Sequence, residues 1–421
     1  MKNRVSQDIV VVGAGPAGLA AALCITRQGA AEGVPGRLPG RLQVAVVAPP
    51  LSHADNRTAA LFTGSMRLLH SLGVGDVCRD AGEPLTAIRI IDDMDGLLRA
   101  PEVTFTAAEV GLDALGCNVP NAALTEALRR QVVANDAITL IEGAAVTELH
   151  IAGDGVELRL SDGSNLTTRL VVGADGRKSL CREAAGIAAR TWSYEQSALT
   201  CTFAHQRPHL GVSTEFHRPA GPLTVVPSPG GSSSLVWVDR PAIAQRLARL
   251  DDTAFRGALE ARLQGLLGSI GEIGPRGIFP LSGLTAEVAA RNRVALVGEA
   301  AHVIPPIGAQ GLNLGLRDAA LIADCVADAL HVGGDIGGAA TLDAYTRARR
   351  LDIATRAWSI DLLNRSLISG FLPVQLVRGL GLYALKAIGP LRRLAIREGL
   401  APSFVAPRLM REDRAETAQA S

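Results

Sequence analysis

The run Gly13-Ala14-Gly15-Pro16-Ala17-Gly18 has the residue types and spacing to hold a pyrophosphate. It follows Asp8-Ile9-Val10-Val11-Val12, which reads as a buried parallel strand, and precedes Leu19 to Gln28, a helical pattern stopped by Gly29. In that setting the first glycine permits the turn, the second lets backbone approach the phosphates, and the third lets helix pack on strand. The helix N-terminus adds free N–H groups and the positive end of its dipole. Two further strands run into acidic turns. Leu170-Val171-Val172-Gly173 leads to Asp175-Gly176, and Val294-Ala295-Leu296-Val297 leads to Gly298-Glu299. After Pro305-Pro306, glycines recur at Gly308, Gly311 and Gly315 around Leu312 and Asn313, and a long helix follows. Glycines let backbone approach a flat ring closely, and a helix N-terminus aimed at it stabilises negative charge developing there. A Gly/Pro-rich turn feeding a core helix is the plainer alternative, and it leaves the recurring glycines unexplained.

Other signals are weaker or missing. The second strand, Val44-Ala45-Val46-Val47, runs into Ala48-Pro49-Pro50, where a dinucleotide fold usually ends in an acidic residue that holds ribose hydroxyls. The run 379–384 also fits the glycine pattern, but no strand–helix–strand unit surrounds it, so one dinucleotide domain is expected. His302 lies just past a buried strand and is read as satisfying a local hydrogen bond, not as a catalyst. No acid or base with a chemical role stands out. The six cysteines, at 24, 78, 117, 181, 201 and 325, include no C-x-x-C pair, so no metal site is expected. Scattered single cysteines of this kind fit small apolar residues in a reducing compartment.

The elements that must position these residues follow from the rest of the chain. At 421 residues it is too long for one average domain. A net charge of +1 and an aromatic content of 3% argue against a nucleic-acid binder. Ile9 to Thr26 carries no charge over eighteen residues, but the glycines and proline in its middle make it a strand, turn and helix, not a signal peptide or span. Stretches such as Leu223–Val226 and Leu235–Val238 alternate as strands do, and Thr253 to Leu267 reads as a helix. The expected organisation is α/β. A Rossmann-like domain is built from residues 1–83, 118–186 and 281–345. A mainly antiparallel sheet domain comprises 84–117 and 187–280, a helical region 346–410, and a disordered tail 411–421. Thr355 to Leu400 carries seven Lys/Arg and two Asp/Glu among apolar residues, and its uncharged run of twelve, Ser366 to Val377, is too short to span a bilayer. It fits either an interfacial surface facing anionic lipid or ordinary helical packing. A cytoplasmic location is expected, with any inner-membrane contact peripheral.

In order and spacing, these three motifs resemble the FAD-dependent aromatic monooxygenases of the p-hydroxybenzoate hydroxylase fold. The segment Asp55-Asn56-Arg57-Thr58-Ala59-Ala60-Leu61 and the run Gly308 to Gly315 look most like the ubiquinone-biosynthesis hydroxylases among them. The resemblance implies FAD as cofactor, NAD(P)H as co-substrate, and O₂ addition to give a flavin hydroperoxide that hydroxylates a polyprenyl phenol. A soluble aromatic substrate, or a flavin-binding subunit without turnover, are the alternatives. The resemblance assigns Gly13, Gly15, Ala17, Gly18 and Arg57 to the FAD phosphates, and Asp175 and Gly176 to FAD and NAD(P)H. It assigns Gly298 and Glu299 to the ribityl chain, with Glu standing where the motif usually has Asp. Pro305, Pro306, Gly308, Gly311, Leu312 and Asn313 fall beside the flavin ring. Asn121, heading a helix read as Ala122 to Val133, is either its N-cap or a cofactor contact. Peripheral membrane contact and membership of a ubiquinone-biosynthesis complex are implied as well.

Overall fold

The computed structural model describes residues 4–29, 42–50, 55–94, 101–306, 308–368, 381, 383–384, 387–400 and 406–411. The loop 30–41, most of the uncharged run 366–377 and the tail from 412 lie outside the described residues.

An eight-stranded sheet forms the base. Strand Arg4–Val12 is flanked by Val44–Ala48 on one side and Asn165–Gly173 on the other, and Val294–Leu296 joins beyond the latter. All four run parallel. They are continuous β-branched and apolar runs because both faces are covered. Val10, Val11, Val44, Val46, Val171 and Val172 are fully buried. Helix Pro16–Gly29 crosses between the first two strands and packs against helix Gln310–His331. The charge-free segment 9–26 is thus core strand and core helix. The six cysteines are free and five are buried.

A nine-stranded sheet stands beside this base. Strand Ala189–His205 runs at its centre, with Gly277–Ala286 on one side and Ser232–Asp239, Leu223–Ser228 and Val212–His217 in succession on the other. The pairing is antiparallel except where Val212–His217 lies parallel to Ala87–Asp92, so the sheet is mixed. The long crossover from residue 92 to 212 makes that parallel pair feasible, since parallel neighbours need a long connection. Helices Pro241–Arg249 and Asp252–Leu263 cover one face, and the second ends four residues earlier than Leu267 because Gln264 and Gly265 take left-handed conformations. A three-stranded sheet, Thr58–Phe62 with Gly116–Pro120 and Glu83–Leu85, bridges the two large sheets. Its Thr58 hydroxyl donates to Ser234 Oγ at 2.9 Å, and Asn118 Nδ2 donates to the Pro227 carbonyl at 2.8 Å.

A buried charge network fixes helix Gln310–His331 against helix Ala339–Ile368. Asp318 is fully buried. Its Oδ2 accepts from the Gly298 backbone N–H at 2.8 Å and lies 2.7 Å from His302 Nε2, while its Oδ1 accepts from Arg349 Nε at 2.5 Å. Arg349 also reaches Asp352, which takes further bonds from Arg317 and Arg356. Tyr345, equally buried, donates to the Leu296 carbonyl at 2.8 Å. Burial opposes ionisation of Asp318, but Arg349, His302 and the Gly298 N–H outweigh it and hold the carboxyl below its ordinary range. His302 therefore has the local hydrogen-bonding role expected of it.

Removing one partner leaves the others charged and buried, so Arg349→Met should cost about 3–5 kcal/mol at pH 7. Asp318→Asn should cost a comparable amount at neutral pH and progressively less in acid. A carboxyl with a depressed folded pKa contributes stability present above the unfolded value of about 3.9 and lost as pH falls through the folded one. Urea unfolding of wild type and variant at pH 7 and pH 3 checks this; an equal gap at both values would contradict it.

Candidate cofactor and substrate site

The three motifs end three adjacent parallel strands, so they meet at one edge of the base sheet. Ala174 N–H donates to the Val12 carbonyl at 2.8 Å, and Val297 N–H to the Gly173 carbonyl at 2.9 Å. This edge is the carboxyl end of the strands, where the chain leaves Arg4–Val12 in one direction and neighbouring strands in the other. In open α/β sheets such a switch point opens a crevice.

The glycines divide by what surrounds them. Gly13 has φ +113°, and a Cβ there would lie 2.2 Å from the Ala174 carbonyl oxygen. A Cβ on Gly18 would lie 2.0 Å from the Gly13 oxygen. Both are required by chain packing. Gly15, Gly176, Gly308 and Gly311 have nothing within 4 Å of a Cβ. Gly176 and Gly308 are needed for their left-handed turns, at φ +78° and +65°, but nothing within the protein requires Gly15 or Gly311 to be small, which is what a ligand approaching the backbone would require. Ala17 sits where helix Pro16–Gly29 meets Gly298 and Gly315, with 3.4 Å from its methyl to the Cβ position of each. These small residues bring the Gly298 turn and both helices together.

Asp175 Oδ2 accepts from the Cys181 N–H at 3.0 Å, whereas its Oδ1 is buried without a partner among the described residues. The helix after this turn is short, Leu180–Ala184, and Ser179 caps it. Asn121 is the first residue of helix Asn121–Val133, and its side chain makes no capping bond, so the N-cap alternative fails. Asn121 Nδ2 instead donates to Asp55 at 2.9 Å, and its Oδ1 is likewise buried and unpartnered. Two orphaned acceptors, one on the Asp175 turn and one beside the Asp55–Arg57 fork, fit a ligand that brings donors, since buried polar groups are otherwise paired.

Arg57 is half exposed and forms a fork with Asp55 through Nε at 2.8 Å and Nη2 at 2.7 Å. Its guanidinium lies 5.0 Å above the Phe279 ring. Burial works against the Asp55 charge, but hydrogen bonds from Arg57 and Asn121 more than offset it and hold the carboxyl below the usual range. Arg57 is raised by its bond to Asp55 and, more weakly, by the charge of Glu299. Glu299 is exposed in a short 3-10 turn, Gly298–Ala300. Sequence reasoning missed Asp55, whose one carboxylate joins Arg57 to Asn121.

The long helix begins at Gln310, not after Leu312, with Ala309 in a left-handed conformation and no side-chain cap. Its first-turn N–H groups are therefore left without a side-chain acceptor. Pro305 is buried, Pro306 and Gly308 are exposed, and Ile307 between them lies outside the described residues. Asn313 differs from expectation: its Oδ1 accepts from Phe62 N–H at 2.9 Å and Ser65 Oγ at 2.7 Å, and its Nδ2 donates to the Ala60 and Ala309 carbonyls. That side chain clamps strand Thr58–Phe62 to the helix and has no capacity left for a ligand. The acidic residue absent at Ala48 has a register neighbour in Glu142, but Arg129 holds it at 2.6 Å.

The two pyrophosphate glycines should respond oppositely. Gly15→Ala should fold with near-normal stability yet retain at least tenfold less flavin. Gly18→Ala meets backbone and should destabilise the apoprotein by about 1–3 kcal/mol or more. Flavin absorbance after gel filtration, with thermal melts of the apoproteins, separates the two effects.

Comparison with known proteins agrees with this geometry. The family described as an FAD binding domain matches residues 6–359. Ubiquinone hydroxylase UbiL of Rhodospirillum rubrum is 36% identical over 96% of this chain and 92% of its own length. The 3-demethoxyubiquinol 3-hydroxylase of Escherichia coli is 30% identical over 93% of this chain and 98% of its own. In fold, the chain is similar to the p-nitrophenol 4-monooxygenase PnpA of Pseudomonas putida. That match has a TM-score of 0.75 and 18% identity, over 96% of this chain and 100% of that one. With its glycine turn, its Asp175 and Gly298 turns and its uncapped helix at one sheet edge, the chain belongs to this FAD-binding family and is an FAD-dependent monooxygenase.

Proposed function

We propose that this monooxygenase hydroxylates the aromatic ring of a polyprenyl phenol on the route to ubiquinone, using NAD(P)H and O₂. The observation that carries the reading is similarity over nearly the whole chain to proteins named as ubiquinone-pathway hydroxylases. Bound FAD would supply the redox chemistry, passing electrons from the nicotinamide to dioxygen and delivering one oxygen atom to the ring. Gly13, Gly15, Ala17 and Gly18 would hold its pyrophosphate, with Arg57 adding charge from the next loop. The unpartnered oxygens of Asp175 and Asn121 would accept from it, and Gly298 with Glu299 would meet its ribityl chain. Pro305, Pro306, Gly308, Gly311 and the backbone of Leu312 and Asn313 would flank its ring, where the uncapped helix end favours negative charge. The boundaries read from sequence suit these roles: FAD-binding 1–83, 118–186 and 281–345, substrate-binding 84–117 and 187–280, and helical 346–410.

Among the described residues NAD(P)H finds no second dinucleotide fold, and it would dock transiently. A groove of about 340 Å³ lined by Arg177, Thr191, Trp192, Ser193 and Gly283 adjoins the Asp175-Gly176 turn and offers it a cation and an aromatic face.

A prenylated substrate needs a route from lipid. Among the described residues no helix is long and apolar enough to cross a membrane. Helix Gly389–Leu400 buries Ile396 against Phe62 and Leu115, and its Arg392 pairs with Glu109 at 2.5 Å. Its other side exposes Arg393, Leu394 and Arg397, with Tyr383 and Ile388 exposed just before it. Exposed apolar residues among arginines support peripheral contact with anionic lipid.

In cells lacking the gene, mass spectrometry should find a prenylated phenol one hydroxyl short, with ubiquinone lost. Unchanged ubiquinone, with no redundant hydroxylase, would redirect the reading to a soluble aromatic substrate. For the membrane contact, the holoenzyme should float with anionic vesicles, and a Tyr383→Ser/Leu394→Asp variant of equal flavin content should not. Flotation by neither protein would remove the lipid-facing role of this helix.

A further inference from the structure

The nine-stranded sheet carries a polar pair that no role described above uses. Side chains alternate along a strand, so its two faces can be separated by register. Phe216, Leu223, Trp237 and Leu199 share one row and pack under Phe255, Leu259 and Leu263 of the covering helices. Ser213, Glu215 and His217 therefore occupy the opposite face. That face meets the flavin-binding part of the molecule: Ser234 bonds Thr58 there, and Ile88, register partner of Ser213, packs in the cluster with Phe62, Leu115 and Ala309. Ala309 immediately precedes the uncapped helix.

His217 is 1% exposed and Glu215 9%. His217 Nε2 lies 2.8 Å from Glu215 Oε1, and the Thr224 hydroxyl donates to Glu215 Oε2 at 3.3 Å. Both carboxylate oxygens are occupied, so Glu215 fixes the ring orientation. His217 Nδ1 is buried and has no hydrogen-bond partner among the described residues. Leaving such an atom unpaired carries a desolvation cost that a ligand with a donor would remove. A carboxylate only accepts, so Nε2 carries a proton, and in the tautomer protonated at Nε2 alone Nδ1 presents a lone pair. Asp92, the register partner of His217 on the next strand, is buried on the same face and adds a second carboxyl beside it. Arg218 and Asp93 pair with each other at the strand end. From Ser213 to His217 the strand rises about 13 Å, so the imidazole stands roughly one aromatic ring and its substituents along the face from the row of Ile88, which packs in the Ala309 cluster.

We propose that His217, oriented by Glu215, binds the substrate's phenolic hydroxyl, with the O–H donating to Nδ1. The inference rests on the phenol reading above and adds to it the residue that selects a ring with a free hydroxyl. Withdrawing the phenolic proton toward Nδ1 enriches the ring in electrons, so the same contact would favour oxygen transfer as well as position the ring. The orphaned atom itself enforces the choice: a methyl ether cannot donate to Nδ1 and would leave it unpaired.

The test uses holoenzyme, ortho-allylphenol and its O-methyl ether, with binding read from the perturbation of the flavin spectrum. Wild type should prefer the phenol by at least tenfold. His217→Phe and the shape-conserving Glu215→Gln, at unchanged flavin content, should lose most of that preference. They should also oxidise NAD(P)H with less hydroxylated product per cofactor consumed. Variants that keep both the preference and the coupling would overturn the assignment. A wild type that binds the two probes equally would overturn it too. Failure of wild type to bind either probe would instead strike the phenol reading on which it stands.

Discussion

A single buried carboxylate, Asp318, holds together the parts of this protein that must meet. It accepts from the Gly298 backbone, from His302 and from Arg349, and so joins a strand-end turn to two long helices. A charge with no access to water is tolerated only if its hydrogen-bonding capacity is met, which makes the geometry around it close to all-or-none. The Gly298 turn, the start of helix Gln310–His331 and the arginine-rich side of helix Ala339–Ile368 are thereby held in one arrangement. The crevice at the sheet edge inherits its shape from that constraint.

Around this anchor, close approach is set by small residues. Ala17, Gly298 and Gly315 let the two helices and the turn come within van der Waals contact, while Gly13 and Gly18 accommodate the turn on which the first helix starts. A different set of glycines, Gly15, Gly176, Gly308 and Gly311, faces open space. The same residue type thus serves internal packing, the left-handed turns at Gly176 and Gly308, and at Gly15 and Gly311 open access to the backbone. Unpaired acceptors on Asp175 and Asn121 leave the protein's own hydrogen bonding unfinished at these two places, as expected of a fold stabilised further by its cofactor.

Much of this was legible in the chain. The β-branched runs, the spacing of the glycines and the acidic turns identified three strands and the turns that end them, because these signals are local and each obeys a backbone rule; that the three turns share one edge came from the pairing of the strands. The mainly antiparallel second sheet was legible from alternation, but its one parallel pair was not, since residues 87–92 and 212–217 are distant in sequence and either direction gives the same alternation. Asn121 and Asn313 show the limit differently. Asn121, legible as a cap or a cofactor contact, caps nothing and gives its amide N–H to Asp55, while Asn313 spends its whole side chain on Phe62, Ser65, Ala60 and Ala309. Their partners come from other segments of the chain.

By itself, then, the sequence determined the class of cofactor and the architecture that holds it, because a glycine turn between strand and helix has few physical uses. The tertiary structure decided which polar groups are already satisfied and which are not. It buried His302 against Asp318, exposed Glu299 near Arg57, and left Nδ1 of His217 unpaired on the inner face of a sheet. Hydrogen bonding and desolvation depend on neighbours brought together by folding, and no spacing along the chain encodes whether a buried atom will find its partner.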